Sequence, residues 1–215
     1  MCSSDLHQHA AAAAPPWVKV CGMTTDEGVA AAVAAGVDAV GFVFFPQSKR
    51  YVSPDRAAQL AASVPKQIAK VAVFLHPSQA ELDAVLKVFR PDVVQTDQED
   101  LAHLAVPSGI GVLPVLRSGG VLPAALPKRV LFEGPVSGTG TTADWSSALA
   151  LARRCELILA GGLTPANVAD AIRIVAPFGV DVSSGVEQSP GIKDPARITE
   201  FVRNARQRRA SGAQQ

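Results

Sequence analysis

Short apolar runs alternate with longer helix-like segments along almost the whole chain, and this alternation limits the folds open to it more than any other feature. A first strand stops at Cys21-Gly22. Further strand-like runs fall at Ala39 to Phe45, Ile68 to Phe74, Asp92 to Gln95, Gly111 to Leu116, Arg129 to Phe132, Glu156 to Ala160 and Val180 to Ser183. Between them lie an alanine-rich helix after the cap Thr24-Thr25-Asp26 and helices at Asp55 to Ser63, Gln79 to Phe89, Trp145 to Arg153, Pro165 to Val175 and Pro195 to Gln207. Glu99 to Leu104 makes a short helix and Val121 to Leu126 a degenerate one. Eight strands, each followed by a helix or its remnant, predict parallel strands joined by right-handed crossovers. Eight units in roughly 190 residues are lean for a closed barrel, which typically takes about 250, so spacing alone leaves an open doubly wound sheet as the alternative. There is no GxGxxG after the first strand, which weakens the dinucleotide-binding form of that alternative.

At 215 residues the chain has room for one domain, expected over 17–207, with a disordered leader at 1–16 and a disordered tail at 208–215. The net charge of +1, with 18% charged residues, provides no basic field for nucleic acid, so a small-molecule partner is expected. Cys2, Cys21 and Cys155 are too few for a disulfide framework, which places the chain in reducing cytoplasm. No signal sequence or membrane-length apolar run is present. His7 and His9, in the leader, are read as solvated rather than metal-binding.

Cys21, at the end of the first strand, would open into whatever mouth the later strands build, where barrel enzymes place their chemistry. Late in the chain, Gly161-Gly162 follows the seventh strand and Ser183-Ser184-Gly185 follows the eighth. Glycines there let backbone N–H groups approach an anion, and the loops after strands 7 and 8 of a barrel are a frequent phosphate site. Gly-Gly also marks ordinary turns. In the loop after strand 2, Lys49 reads as a solvated basic residue, while the guanidinium of Arg50 could fork onto a carboxylate. Glu133 puts an acid at the end of strand 6, ahead of a glycine-rich run from Gly134 to Gly140; an ordinary surface glutamate is the other reading.

The strings VKVCGMT, DAVGFVFFPQSKRYVSP, VAVF, SGTGTTADW, LAGGLTPANV and VDVSSGVEQSPGIKD together resemble the phosphoribosylanthranilate isomerase family of the tryptophan pathway. The resemblance runs from Val18 to the C-terminal helix and implies an α/β fold, a closed (β/α)₈ TIM barrel in one compact domain. It implies an Amadori rearrangement of N-(5-phosphoribosyl)anthranilate without cofactor or metal. A general acid opens the furanose ring, a cysteine thiolate takes the C2 proton, and the enolamine relaxes to the aminoketone. Carried onto this chain, the base falls on Cys21 and the acid on Glu133, with Asp181 the competing acid or a contact to the sugar. The resemblance further implies that Arg50 holds the anthranilate carboxylate and that Gly161, Gly162, Ser183, Ser184 and Gly185 hold the phosphate. The expected partner is a small phosphorylated aromatic substrate, with no nucleic acid or membrane, and the expected assembly is a monomer or homodimer.

Two departures stand out. Relatives commonly read VQLHG after strand 4, whereas this chain reads Val94-Gln95-Thr96-Asp97-Gln98, keeping Gln95 as a pocket hydrogen-bonding group and losing the histidine. Relatives commonly carry aspartate where Glu133 stands. Indoleglycerol phosphate synthase or the tryptophan synthase alpha subunit would share the late glycine loops, but would be expected to carry a strand-end lysine or paired early acids. Lys19, two residues before Cys21, is placed too deep for that role. A non-catalytic ligand-binding barrel is the remaining alternative, since fold does not fix function.

Overall fold

A computed structural model of the chain describes residues 14–135 and 144–207. Most of the expected leader, the whole C-terminal tail and most of the glycine-rich run after Glu133 lie outside the described residues. The barrel strands are β1 (Trp17–Cys21), β2 (Ala39–Val43), β3 (Ala69–Val73), β4 (Val93–Asp97), β5 (Gly111–Arg117), β6 (Arg129–Glu133), β7 (Glu156–Leu159) and β8 (Gly179–Val182). They pair in parallel in sequence order, and β8 returns to β1 to close the cylinder, so the open sheet is ruled out.

The helices are α1 (Asp26–Ala35), α2 (Pro54–Ala61), α3 (Gln79–Val88), α4 (Trp145–Ala152), α5 (Val168–Val175) and α6 (Pro195–Arg206). Local sequence sets their starts. Thr25 accepts a hydrogen bond from Gly28 N, Ser53 precedes Pro54 and accepts from Arg56 N, and Ser78 forms a reciprocal capping box with Glu81. Asp194 accepts from Ala196 N and Arg197 N ahead of Pro195, whose missing N–H costs a first turn nothing. The expected degenerate helix at Val121 to Leu126 does not form. Two glycines precede that stretch, two prolines interrupt and follow it, and Val121 is 95% exposed with only Leu126 packing against the core, so too little apolar surface is buried to repay the ordering entropy. The stretch from Glu99 to Leu104 is reduced to a 3-10 turn at Gln98–Ala102.

Side chains alternate along each strand. Val18, Val20, Val40, Phe42, Val130, Phe132, Leu157, Leu159, Val180 and Val182 face outward into the large core under the helices, where burying a chain the size of Phe42 stabilises by about 1.5–3 kcal/mol. The inward positions are different in character. Leu113, Val115, Leu131, Ile158 and Ala160 form a small apolar plug inside the barrel on the β5–β7 side. On the β8–β1 side the interior instead holds Lys19 and Asp181, which are register partners on adjacent strands. After β8 the chain makes a 3-10 turn at Ser184–Val186 and then a short antiparallel hairpin, β9 (Glu187–Ser189) with β10 (Ile192–Lys193), before α6.

Candidate active site

The strands' C-terminal ends open into a cavity of about 470 Å³. Cys21, Arg50, Gln95, Glu133, Asp181 and Ser183 all line it, so candidate residues from five strand ends and their loops converge there. Gly161, Gly162, Ser184 and Gly185 are not among its lining residues. Loop β7 and loop β8 touch directly: a Cβ on Gly185 would lie 2.0 Å from the Leu163 carbonyl oxygen. Gly161 and Gly162 have φ of 83° and 65°, a conformation that favours glycine. Asn167 braces this turn, accepting from Thr164 N at 2.8 Å and donating to Gly162 O at 2.9 Å.

Cys21 is 7% exposed and packs its sulfur against Gly41 of the neighbouring strand. A Cβ at Gly41 would sit 2.9 Å from Cys21 Sγ and 3.2 Å from Lys19 Cε, so the glycine makes room for thiol and lysine stem together. Burial pushes the Cys21 thiol above its ordinary pKa, and the ammonium of Lys19 pulls the other way. Lys19 is wholly buried and donates to Asp181 Oδ1 at 2.9 Å. Burial opposes its charge, but Asp181 and the thiol outweigh that and hold Lys19 above the usual lysine value. Asp181 is itself pushed up by burial against the pull of Lys19. Lys19 lies deep in the barrel, as its place in the strand implies, and is not among the residues that line the cavity. It lies beside the candidate base, because a two-residue step keeps both side chains on the barrel's inner face.

Arg50 crosses over Gly22, whose φ of 79° and missing Cβ are both used: a Cβ there would meet Arg50 Cδ at 2.6 Å. Its Nε and Nη2 donate to Glu187 Oε1 at 2.7 Å and Oε2 at 2.9 Å. Nη1 and the second N–H of Nη2 make no hydrogen bond among the described residues, which leaves the Nη1–Nη2 edge open to a second carboxylate. Gln95 is 6% exposed and its Oε1 has no hydrogen-bond partner among the described residues, a costly state for a buried amide and one a ligand donor would relieve.

Glu133 is half-buried and joined to Arg117, whose Nη1 donates to Glu133 Oε1 at 2.8 Å. The same guanidinium donates through Nη2 to Asp97 Oδ1 at 2.6 Å and through Nε to Asp97 Oδ2 at 3.3 Å. Asp97 stands where relatives of the resembled family place histidine. Farther out, His76 hydrogen-bonds Asp100 through Nδ1 at 2.9 Å and approaches Asp97 through Nε2 at 3.5 Å. The Asp100 hydrogen bond, above all, raises the His76 pKa. Sequence reasoning missed Arg117 and Asp97, although their parity on β5 and β4 is inward, matching Val115 and Gln95. No group of three or more His, Cys, Asp or Glu that could hold a metal ion occurs among the described residues.

Comparison with known proteins identifies the family. A family model described as N-(5'phosphoribosyl)anthranilate (PRA) isomerase matches residues 18–204. The N-(5'-phosphoribosyl)anthranilate isomerase of Paracoccus denitrificans is 43% identical over 209 residues, covering 87% of this chain and 96% of its own. Among solved structures, TrpF from Jonesia denitrificans superposes with a TM-score of 0.74 at 35% identity, covering 89% of this chain and 97% of that one. A phosphoribosyl anthranilate isomerase in complex with reduced 1-(o-carboxyphenylamino)-1-deoxyribulose 5-phosphate superposes with a TM-score of 0.71 at 31% identity, covering 88% and 98%.

Proposed function

The chain belongs to the N-(5'-phosphoribosyl)anthranilate isomerase family, and from that premise we propose how its own residues divide the work of the rearrangement. The protein is an isomerase of tryptophan biosynthesis that converts N-(5-phosphoribosyl)anthranilate to 1-(2-carboxyphenylamino)-1-deoxyribulose 5-phosphate. Glu133 donates a proton to the furanose oxygen, opening the ring to a Schiff base. Cys21, as thiolate, removes the C2 proton, and the enolamine relaxes to the aminoketone. Lys19 stabilises the thiolate, and Asp181 holds Lys19 in place through its ion pair. Arg50 receives the aromatic carboxylate on its Nη1–Nη2 edge, and Gln95 supplies a hydrogen bond to the sugar. Ser183 and the backbone around Gly161, Gly162, Ser184 and Gly185 receive the phosphate.

The observation that carries this division is the convergence of Cys21, Arg50 and Glu133, from three separate strand ends, on one cavity of a size suited to a small organic ligand. Incubation with phosphoribosylanthranilate, following loss of anthranilate-type fluorescence, tests it. We expect turnover with no added nucleotide and no change on adding EDTA. Correctly folded protein without turnover would defeat the assignment of roles. Cytoplasmic residence and a monomeric or homodimeric state belong to the same proposal, to be checked by cell fractionation and light scattering.

A further inference from the structure

Behind Arg50 the cavity wall carries two charges that the reaction scheme leaves unused. Glu187 opens β9 and Lys193 closes β10, so the two pair across the open end of the hairpin; they are 7% and 3% exposed. Glu187 accepts both hydrogen bonds of the Arg50 fork and a third from Lys193 Nζ at 2.8 Å. Lys193 also donates to Ser183 O at 3.0 Å and approaches Ser183 Oγ at 3.3 Å, while Ser183 Oγ donates to the Cys21 carbonyl at 3.0 Å. The hairpin that carries these groups is docked firmly. Thr24 Oγ1 donates to Gly191 O, Arg197 Nη1 donates to Glu187 O at 2.6 Å, and a Cβ at Gly191 would lie 2.7 Å from the Lys49 carbonyl.

This arrangement solves a conflict in carboxylate recognition. An arginine left to itself rotates about several bonds and presents its fork poorly, and holding it with a carboxylate fixes the plane. The same carboxylate cancels the charge that should attract a ligand anion. Here Lys193 shares Glu187 Oε1 with Arg50, so the three side chains together keep a single positive charge. We propose that Glu187 and Lys193 are positioning residues for the substrate carboxylate: Glu187 fixes the orientation of Arg50, and Lys193 restores the positive charge that Glu187 cancels. The inference rests on the reading of Arg50 as the carboxylate clamp.

The two roles predict opposite electrostatic signatures, which a loss of packing would not produce. Glu187→Gln keeps shape and adds a positive charge, so KM holds or falls and kcat/KM depends more steeply on ionic strength, while kcat, normalised to active sites, drops about 10-fold because Arg50 is misaligned. Lys193→Met removes a positive charge, so KM rises about 10-fold and the ionic-strength dependence flattens, with a smaller fall in kcat. The double variant Glu187→Gln/Lys193→Met regains the single positive charge without burying an unpaired ion, and should show a wild-type salt slope with a low kcat. Should a single variant fail to fold, the double variant decides, and a wild-type kcat in it overturns the proposal. Arg50→Lys separates the two levels of inference. If Arg50→Lys matches wild type in KM and kcat, the clamp reading itself is wrong. If Arg50→Lys is damaged while the two single variants shift the salt slope in the same direction, or not at all, the clamp stands and the role of Glu187 and Lys193 falls.

Discussion

The two sides of the barrel mouth are built by different means. On the side of β8, β1 and β2, close steric contacts join the ion pairs Lys19–Asp181 and Arg50–Glu187 in placing the functional groups: Cys21 against Gly41, Arg50 over Gly22, and Gly185 against the Leu163 carbonyl. Among the described residues, no glycine on the side of β4, β5 and β6 packs in this way against the charged groups of Asp97, Arg117 or Glu133. Asp97, Arg117 and Glu133 are held by ion pairs across neighbouring strand ends, and no helix covers the connection from β5 to β6. Close packing tolerates almost no substitution, whereas a charge trio can exchange members if the sum of charges and the reach are kept. The departures from the resembled family's pattern, Asp97 and Glu133, both lie on the second side.

The largest expected effect comes from the packed side. Cys21→Ser should lower kcat by at least about 10²-fold, the scale of a positioned proton transfer, with little change in affinity for a product analogue. Turnover close to wild type would return Cys21 to the status of a packing residue.

Glu133→Gln tests the other side and should cost about 10²-fold in kcat, with Glu133→Asp damaged less because it keeps the carboxyl and gives up only reach. Asp181→Asn is the comparison to run beside them. If Glu133→Gln stays within about threefold of wild type while Asp181→Asn collapses, the acid belongs to the packed side and the contrast between the sides dissolves.

Lys19→Met is expected to lower kcat/KM at neutral pH by about 10-fold. Burial already raises the Cys21 pKa and Lys19 opposes that rise, so removing the ammonium raises it further. A base must be deprotonated to act, and the acidic limb of the pH profile therefore moves to higher pH. Alkylation of Cys21 by iodoacetamide across the same pH range reads the thiolate directly. A limb that stays in place would show that the lysine serves only to satisfy Asp181.

Asp97→Asn should be the mildest change, lowering kcat by a few-fold to about 10-fold by loosening Arg117 and through it Glu133. The informative form is a double-mutant cycle with Glu133→Asp. Effects that simply add would mean that the trio does not act as a unit.

What could be read in the chain follows the same division. All eight strands, the helix caps at Thr25, Ser53 and Ser78, and the glycine loops after β7 and β8 carry local signals, since a cap or a positive-φ turn restricts residue type at its own position. The β9–β10 hairpin went unseen because Glu187–Lys193 is short, polar and broken by Pro190-Gly191, with no apolar alternation to mark it as strand. Arg117 and Asp97 are strand-end charges, and in one dimension nothing separates a charge paired across strands from a solvated one. The depth of Lys19 along its strand was legible, but its contact with a side chain on the same inner face depends on how small the neighbour is, and that neighbour is Gly41.

The closure of β8 onto β1 has a consequence for how the enzyme is made. Trp17 pairs with Gly179 and Lys19 with Asp181, partners 162 positions apart, so the first strand to leave the ribosome waits for the last before its inner face is complete. Until then β1 presents an unpaired edge, and the Lys19 ammonium beside Cys21 has no carboxylate to hold it. The setting of Cys21, with Lys19 held by Asp181, is thus incomplete until β8 has been made. A chain that terminates before Gly179 would carry every residue of the base's own strand and still lack the partner that completes its setting.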